Sequence, residues 1–243
     1  MNNYIDAHCH LINDDSLPNI LFTAYQSGVC GMINNAAKFS DLSNVIKLSN
    51  MHSNICGAIG VHPWYISDAP DNWADVIENV LMQNPKIQVG EIGLDKNRPD
   101  IDKQIDFFTR QLKIASKLQR GISVHCVHMW NKLIDILKNN DAQSLPYIIL
   151  HSYNCTTCEI DSLCKKYNIY FSFSPRNITS KKITQILSGI PISKIIAESD
   201  SDNPKMVINV ISEMAKILNI EQSDLTDIIY KNTIRIFNNG QTL

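Results

Sequence analysis

The feature that most constrains the fold is a regular alternation of short apolar, β-branched runs with longer segments of helical periodicity. Eight such runs occur, at residues 4–11, 31–37, 55–63, 86–94, 122–127, 147–153, 169–174 and 194–200. The helical spacing is clearest where Ile105, Phe108, Leu112 and Ala115 follow one another at steps of three and four residues before Leu118. Strand and helix are therefore predicted to alternate along the chain.

Eight strand–helix units predict a TIM-like (β/α)8 barrel of the α/β class, with parallel strands inside and helices outside. Parallel neighbours need crossover connections, and a covering helix supplies each one. A chain of 243 residues, 44% of them hydrophobic, is long enough to bury the core of such a barrel. No long linker or repeat interrupts the pattern, so we expect one domain over residues 1–243. An open doubly wound sheet is the alternative architecture.

Two helix starts carry their own local signals. Asp202 and Asn203 stand directly before Pro204, which predicts a helix N-cap followed by proline at the first helical position. Ser223 precedes an apolar helical pattern and predicts the start of the last helix in the same way.

Composition narrows the partners that this chain can take. The formal net charge of -2 provides no electrostatic footprint for tight, sequence-independent binding of a polyanion, so any nucleic-acid contact has to be local. The first residues, MNNYIDAHCHL, lack a secretory signal pattern, and no run of about 18 apolar residues occurs. We expect a cytoplasmic protein without a membrane segment, and nothing in the sequence indicates an obligate protein partner.

The first predicted strand carries two histidines at the spacing of a shared strand face. His8 and His10 are two residues apart, and Asp6 has the same parity, so all three side chains point to one side of the strand. Such a pair can hold a metal ion through two imidazole nitrogens. A pair of hydrogen-bonded core histidines is the alternative.

Four more polar residues fall near the carboxyl ends of predicted strands, which form the catalytic face of a (β/α)8 barrel: Glu91, His125, His151 and Asp200. Glu91 lies among small and apolar residues, where coordination to a cation offsets the cost of burying a carboxylate. A structural salt bridge is the alternative for Glu91, a satisfied core histidine for His125 and His151, and a solvated loop acid for Asp200. Nitrogen and oxygen ligands in this mixture suit Zn, Mn or a comparable divalent ion better than calcium.

The order of motifs along the chain, namely DAHCHL, GVHPW, VGEIGLD, ILHSY, IAESD and NTIRIF, resembles the TatD family of metal-dependent hydrolases over almost the entire sequence. The resemblance implies metal ligands at six positions: His8, His10, Glu91, His125, His151 and Asp200. It further implies one to three divalent ions (Zn, Mn or Mg), two being the expected number, with Glu91 shared between them. Glu91 and Asp200 would be the catalytic carboxylates.

Substrate contacts are expected at the mouth of the barrel. The resemblance places His62 of GVHP there as a substrate or phosphate contact, although a histidine that stabilises the turn before Pro63 is also consistent with the sequence. Arg176 follows the seventh strand, where barrel enzymes frequently bind phosphate, and is a second candidate, with a solvated surface role as its alternative. Asn177 and Lys96 are further candidates of this kind.

Three departures from the family pattern indicate a distinct branch. Val127 stands in VHCV where many TatD proteins have the arginine of an HxR motif, and Ser152 and Tyr153 follow His151 where members often have HCFxG. The segment after Asp200 is also shorter than in many relatives.

The main functional hypothesis is hydrolysis of phosphodiester bonds, such as those of DNA, by a metal-activated water. Two alternatives stay open from the sequence. One is a metal-dependent amidohydrolase or lactonase, because related barrels direct the same activated water against carbonyl-like carbon. The other is a non-catalytic scaffold that only binds metal.

Overall fold

Eight parallel strands form one sheet in the computed structural model, which describes residues 3–156 and 158–239. The strands are β1 (Tyr4–Cys9), β2 (Val29–Asn35), β3 (Ile55–Ile59), β4 (Gln88–Asp95), β5 (Ile122–Val127), β6 (Ile148–Leu150), β7 (Ile169–Phe173) and β8 (Ile195–Ala197). Each pairs in parallel with the next strand of the chain. Each of the eight predicted runs therefore contains or overlaps one strand.

Helices follow the strands and cover the sheet. They are α1 (Leu17–Gln26), α2 (Leu42–Met51), α3 (Trp73–Gln83), α4 (Ile101–Leu118), α5 (Trp130–Asn139), α6 (Ile160–Lys166), α7 (Pro175–Ile178), α8 (Ile183–Ser188), α9 (Met206–Leu218) and α10 (Gln222–Asn239). In α4 the predicted stripe faces inward, with Phe108, Leu112 and Ala115 buried. Within the described part of the chain, no helix is both long and apolar enough to cross a membrane.

The sheet curls until its last strand meets its first. Just beyond the two strand ends, the Asp200 N–H donates to the His8 carbonyl at 3.0 Å, and the His10 N–H donates to the Ser201 carbonyl at 2.9 Å. The strand order is sequential and never reverses, as it would in a doubly wound sheet. The predicted TIM-like barrel is confirmed, and the doubly wound alternative is wrong.

Several strands end earlier than the apolar runs indicate. β6 stops at Leu150 and β8 at Ala197, so His151 and Asp200 follow their strands and do not belong to them. Ser152 and Asp200 have positive φ angles of 43° and 51°, which turn the chain out of the strand direction. His151 and Asp200 therefore lie on the segments that follow their strands, whereas His8, Glu91 and His125 lie within β1, β4 and β5.

Both predicted helix starts are displaced. α9 begins at Met206 because the preceding residues form a turn, in which the Met206 N–H donates to the Asn203 carbonyl at 3.1 Å. α10 begins at Gln222, and Ser223 lies inside it, since the Leu225 N–H already donates to the Glu221 carbonyl at 3.0 Å in helical fashion.

Gly93 allows β4 and β5 to approach closely where both strands carry site residues. Its φ is 153°, and a Cβ atom added there would lie 1.9 Å from the carbonyl oxygen of His125. A side chain at this position would therefore push apart the strands that carry Glu91 and His125.

Candidate metal centre

The carboxylate of Glu91 lies at the centre of the barrel mouth, with its side chain only 4% exposed. Five imidazoles surround it. The Oε2 atom lies 3.3 Å from His8 Nε2 and 3.4 Å from His10 Nε2, and the Oε1 atom lies 3.1 Å from His125 Nδ1, 3.2 Å from His62 Nε2 and 3.3 Å from His151 Nε2. The structure thus brings five of the six predicted ligands together, and adds His62 to them.

Asp200, the sixth predicted ligand, lies at the open side of this cluster. Its Oδ1 atom is 3.7 Å from His10 Nε2, and its side chain is 21% exposed, far more than that of Glu91. The backbone of Asp200 is held by the hydrogen bond to the His8 carbonyl. Asp200 therefore combines proximity to the imidazoles with access to solvent.

In His10 and His151, the ring nitrogen farther from Glu91 forms a hydrogen bond that determines the tautomer of the neutral ring. His10 Nδ1 lies 2.9 Å from the Asn35 carbonyl, and His151 Nδ1 lies 2.8 Å from Glu198 Oε1. These oxygens only accept, so both Nδ1 atoms carry hydrogen. In the neutral rings the Nε2 atoms then offer lone pairs to the centre, which is the arrangement of metal-binding histidines.

His125 has the same arrangement with its two ring nitrogens exchanged: Nε2 contacts a carboxylate outside the centre and Nδ1 faces the centre. Its Nε2 lies 3.3 Å from Asp95 Oδ2, and its Nδ1 faces Glu91. The Asp95 carboxylate in turn accepts a hydrogen bond of 2.6 Å from Trp64 Nε1. A chain of contacts therefore runs from an indole at the rim to an imidazole nitrogen at the centre.

His62 differs from these three histidines. Its Nδ1 accepts the backbone N–H of Trp64 at 3.1 Å, so the neutral ring carries its hydrogen on Nε2 and donates to Glu91. The neutral ring is then a hydrogen-bond donor toward the centre and not a lone-pair ligand. The turn-stabilising role considered from the sequence is present, since His62 caps the helical turn Pro63–Tyr65, yet the same side chain also reaches the centre.

The donor set fits divalent cations. Lone pairs of neutral His10, His125 and His151 face an anionic carboxylate at 3.1 to 3.4 Å, a repulsive arrangement unless a proton or a cation lies between them. Imidazole nitrogen and carboxylate oxygen are ligands of Zn and comparable ions. In each of three groups of side chains, one nitrogen or oxygen atom per residue lies within 4.8 Å of the others: His8, His10 and Glu91; His62, Glu91 and His125; and His8, His151 and Glu198.

Burial and charge pull the pKa values of the centre in opposite directions. Burial alone would raise the pKa of Glu91, but the surrounding imidazoles, His62 and His151 foremost, hold it well below its usual range. Burial alone would lower the pKa of His151, but the carboxylates of Glu198 and Glu91 raise it to about 10. Burial lowers the pKa of His8 and of His62. Protons on such groups occupy positions where cations would bind.

Supporting residues around the centre were not singled out from the sequence. Glu198 orients His151, Asp95 orients His125, and the Ser123 hydroxyl lies 2.9 Å from His8 Nδ1. Asp6, noted only for its parity, accepts the Ser199 N–H at 2.9 Å, and burial raises its pKa to about 8. The available signal was parity: Glu198 stands two residues before Asp200, and Asp95 four after Glu91.

A cavity of about 810 Å³ opens above the cluster. Arg176 lies on its wall, is exposed, and forms no ion pair with a described residue. Asn177 is a structural residue, because its side chain accepts the Ser174 N–H at 2.7 Å and donates to the Tyr153 carbonyl at 2.9 Å. Lys96 lines a neighbouring cleft beside Trp130 instead.

A sequential parallel barrel with imidazoles and carboxylates gathered at the carboxyl ends of its strands is typical of metal-dependent hydrolases. The family model described as TatD related DNase matches residues 5–238. The chain belongs to this family, and the resemblance found in the motifs is confirmed.

Relatives in two organisms match the chain over most of its length. The chain is 26% identical to an uncharacterized metal-dependent hydrolase of Methanocaldococcus jannaschii, with 96% of each chain covered. It is 24% identical to the 3'-5' ssDNA/RNA exonuclease TatD of Escherichia coli K12, over 75% of this chain and 72% of the relative. The crystal structure of YjjV, a TatD homolog from Escherichia coli K12, superposes with a TM-score of 0.87 at 22% identity, covering 97% and 98% of the two chains.

Proposed function

We propose that the protein hydrolyses phosphodiester bonds, with DNA as the candidate substrate. The observation that carries this proposal is the buried Glu91 carboxylate, surrounded by imidazole nitrogens on the floor of a cavity. The cavity wall carries the guanidinium of Arg176, which forms no ion pair with a described residue. An anionic ester is the substrate class that a cationic centre and an arginine favour together. The exonuclease name of a relative agrees with this substrate class.

Two cation positions sharing Glu91 are the arrangement we propose. His8, His10, Glu91 and Asp200 would hold one ion, and Glu91, His125 and His151 the other. Ions bound there supply Lewis-acid activation of water and stabilise the negative charge that develops on the substrate oxygens. The grouping of His8, His10 and Glu91 ligand atoms within 4.8 Å supports the first position.

The protein's own residues then bind, orient and move protons. Asp200 is the carboxylate with solvent access, so we assign it the acceptance of a proton from the attacking water. His62 presents its Nε2–H to the centre and can donate that hydrogen bond to a substrate oxygen once Glu91 engages cations. Arg176 binds a non-bridging phosphate oxygen from the cavity wall.

The decisive experiment compares metal-depleted and metal-restored protein. Metal is removed with a chelator, Mn, Mg or Zn is added back, and turnover is measured on single-stranded DNA, a chromogenic phosphodiester, a lactone and an amide. We expect metal-dependent cleavage of the two phosphodiester substrates. Turnover of the lactone or amide alone would replace the proposal by amidohydrolase-type chemistry, and absence of turnover on all four would favour a scaffold.

Variants locate the activity at the proposed centre. His151→Ala and Asp200→Asn should lower metal content or phosphodiester turnover at least tenfold while the far-ultraviolet circular dichroism stays unchanged. His52→Ala is the matched control, because His52 stands at the end of α2 and takes no part in the cluster. Full activity and metal content in both site variants would contradict the assignment.

A further inference from the structure

Two consecutive aromatic residues on the turn after β3 lie at the rim of the cavity. Trp64 is 40% exposed, Tyr65 is half-buried, and both line the cavity that holds the Glu91 cluster. A cation lies over each ring. The Arg98 guanidinium carbon is 4.1 Å from the centre of the Trp64 ring, and Lys38 Nζ is 5.0 Å from the centre of the Tyr65 ring. The rim therefore carries two aromatic–cation pairs side by side.

Neither cation is paired with a carboxylate of the described residues. Lys38 and Arg98 are both exposed, and within residues 3–156 and 158–239 neither side chain forms an ion pair. The nearby Asp41 engages Lys38 through its backbone N–H, at 2.9 Å, and not through the ammonium group. Both positive charges are therefore available to an anionic ligand, on a protein whose formal net charge is -2.

The Trp64 ring is held in place from the side of the metal centre. Its Nε1–H donates to Asp95 Oδ2 at 2.6 Å, and that carboxylate also contacts His125. An exposed indole with a fixed ring loses little conformational freedom when a ligand stacks on it. Its attachment to Asp95 also sets its position relative to the Glu91 cluster.

We propose that Lys38, Trp64, Tyr65 and Arg98, here called the rim platform, bind the nucleotides of a single-stranded nucleic acid next to the bond at the metal centre. Single-stranded chains are bound by aromatic rings that stack on bases and by cations that follow the phosphates. A duplex buries the faces of its bases, so stacking on the rim platform selects an unpaired strand. The inference rests on the proposed phosphodiester chemistry and adds the residues that choose the substrate.

The aromatic part of the rim platform is tested by a pair of variants. Trp64→Phe and Trp64→Leu both lose the hydrogen bond to Asp95, but only the leucine variant loses the aromatic face. Binding of labelled oligothymidylate and oligouridylate is measured by fluorescence anisotropy in the presence of chelator, which separates DNA from RNA preference and prevents cleavage. We expect the leucine variant to bind about 5- to 150-fold more weakly than the phenylalanine variant. Equal affinities would overturn the platform.

Intrinsic fluorescence gives a second readout on the unaltered protein. Of the three tryptophans, Trp73 and Trp130 are 2% and 8% exposed, so acrylamide quenches mainly Trp64. Bound oligothymidylate should protect this indole from acrylamide. Unchanged quenching at saturating oligonucleotide would contradict stacking at Trp64.

The cationic part is tested by the salt dependence of binding. Lys38→Gln and Arg98→Gln should each reduce the slope of log affinity against log salt concentration by about 0.7, the value for one phosphate contact on a single strand. Lys113→Gln is the control, because Lys113 is exposed on α4, roughly 18 Å along the helix from its start near the mouth. Equal slopes in all three variants would overturn the role of Lys38 and Arg98.

The platform and the proposed chemistry can fail separately. Cleavage of a chromogenic phosphodiester by metal-restored wild-type protein tests the chemistry without the rim platform, since that substrate has no nucleotide to stack. Oligonucleotide binding in chelator tests the platform without turnover. Binding that is lost in Trp64→Leu supports the platform whether or not the small ester is cleaved, and binding that is indifferent to all four residues refutes it.

Discussion

Replacing Glu198 by glutamine tests how far the centre depends on residues that surround the proposed ligands. Glu198 is fully buried, and its Oε1 atom accepts from His151 Nδ1 at 2.8 Å and from the Ser152 N–H at 2.9 Å. Glutamine keeps the shape and an accepting oxygen but removes the negative charge. In the wild type this charge raises the pKa of His151 and strengthens the hydrogen bond that His151 Nδ1 donates to Glu198. Loss of a partner of this kind costs about 10- to 100-fold in metal affinity, or roughly 1.4 to 2.7 kcal/mol.

The assay is a titration of metal-depleted protein with Zn or Mn, followed by calorimetry, in wild type and Glu198→Gln. Glu213→Gln provides the control, because Glu213 is exposed on α9 and, among the described residues, forms its ion pair with Lys216 alone. We expect weaker metal binding in the first variant and wild-type affinity in the second. Wild-type affinity in Glu198→Gln, with metal bound at the Glu91 cluster, would refute the view that this carboxylate prepares His151 as a ligand.

Three further predictions concern the packing at Gly93, the ionisation of Cys56 and the stabilisation of the fold by bound metal. Gly93→Ala should lower the free energy of unfolding by about 3 kcal/mol, because its Cβ would overlap the His125 carbonyl. Gly189→Ala is the control and should change this free energy little, because its Cβ would meet no atom of the described residues closer than 3.5 Å. Urea denaturation measures both variants. Burial raises the pKa of Cys56 to about 12, so about one thiol in 10,000 is ionised near pH 8. Cys56 should therefore resist iodoacetamide, whereas the exposed Cys30 should react. Peptide mass spectrometry measures the modification of each cysteine. Metal at about 100 times its Kd should stabilise wild type by about 2.7 kcal/mol in thermal unfolding, and a comparable gain in His151→Ala would contradict binding at this centre.

The barrel could be predicted from sequence because its signals are local. Apolar runs of strand length mark strands that are buried on both faces, and the stripe containing Phe108 and Leu112 marks a helix that covers them. The proposed ligands could be grouped for a related reason, since the carboxyl ends of parallel strands meet at one end of a barrel. His8, Glu91 and His151 are far apart in the chain but share that position in the fold.

The details that could not be predicted depend on contacts between distant segments. Glu198 reaches His151 because β6 and β8 both flank β7 in the sheet, although 47 residues separate the pair. The early strand ends have the same origin: the Ser152 N–H is held by Glu198, and the Asp200 N–H by His8, and both residues take positive φ. No local propensity encodes such bonds. His62 was predicted at the rim, and its contact with Glu91 joins the segment after β3 to β4.

The most direct test of the central claim is an anomalous difference map from a crystal of the protein soaked in Zn and measured at the zinc edge. The proposed centre predicts at least one strong peak about 2.0 to 2.2 Å from a Glu91 oxygen and from nitrogens of the imidazoles that surround it. Two peaks that share Glu91 would support the proposed two-ion arrangement. Zinc bound elsewhere on the protein, with no peak at Glu91, would contradict the assignment of this cluster as the metal centre.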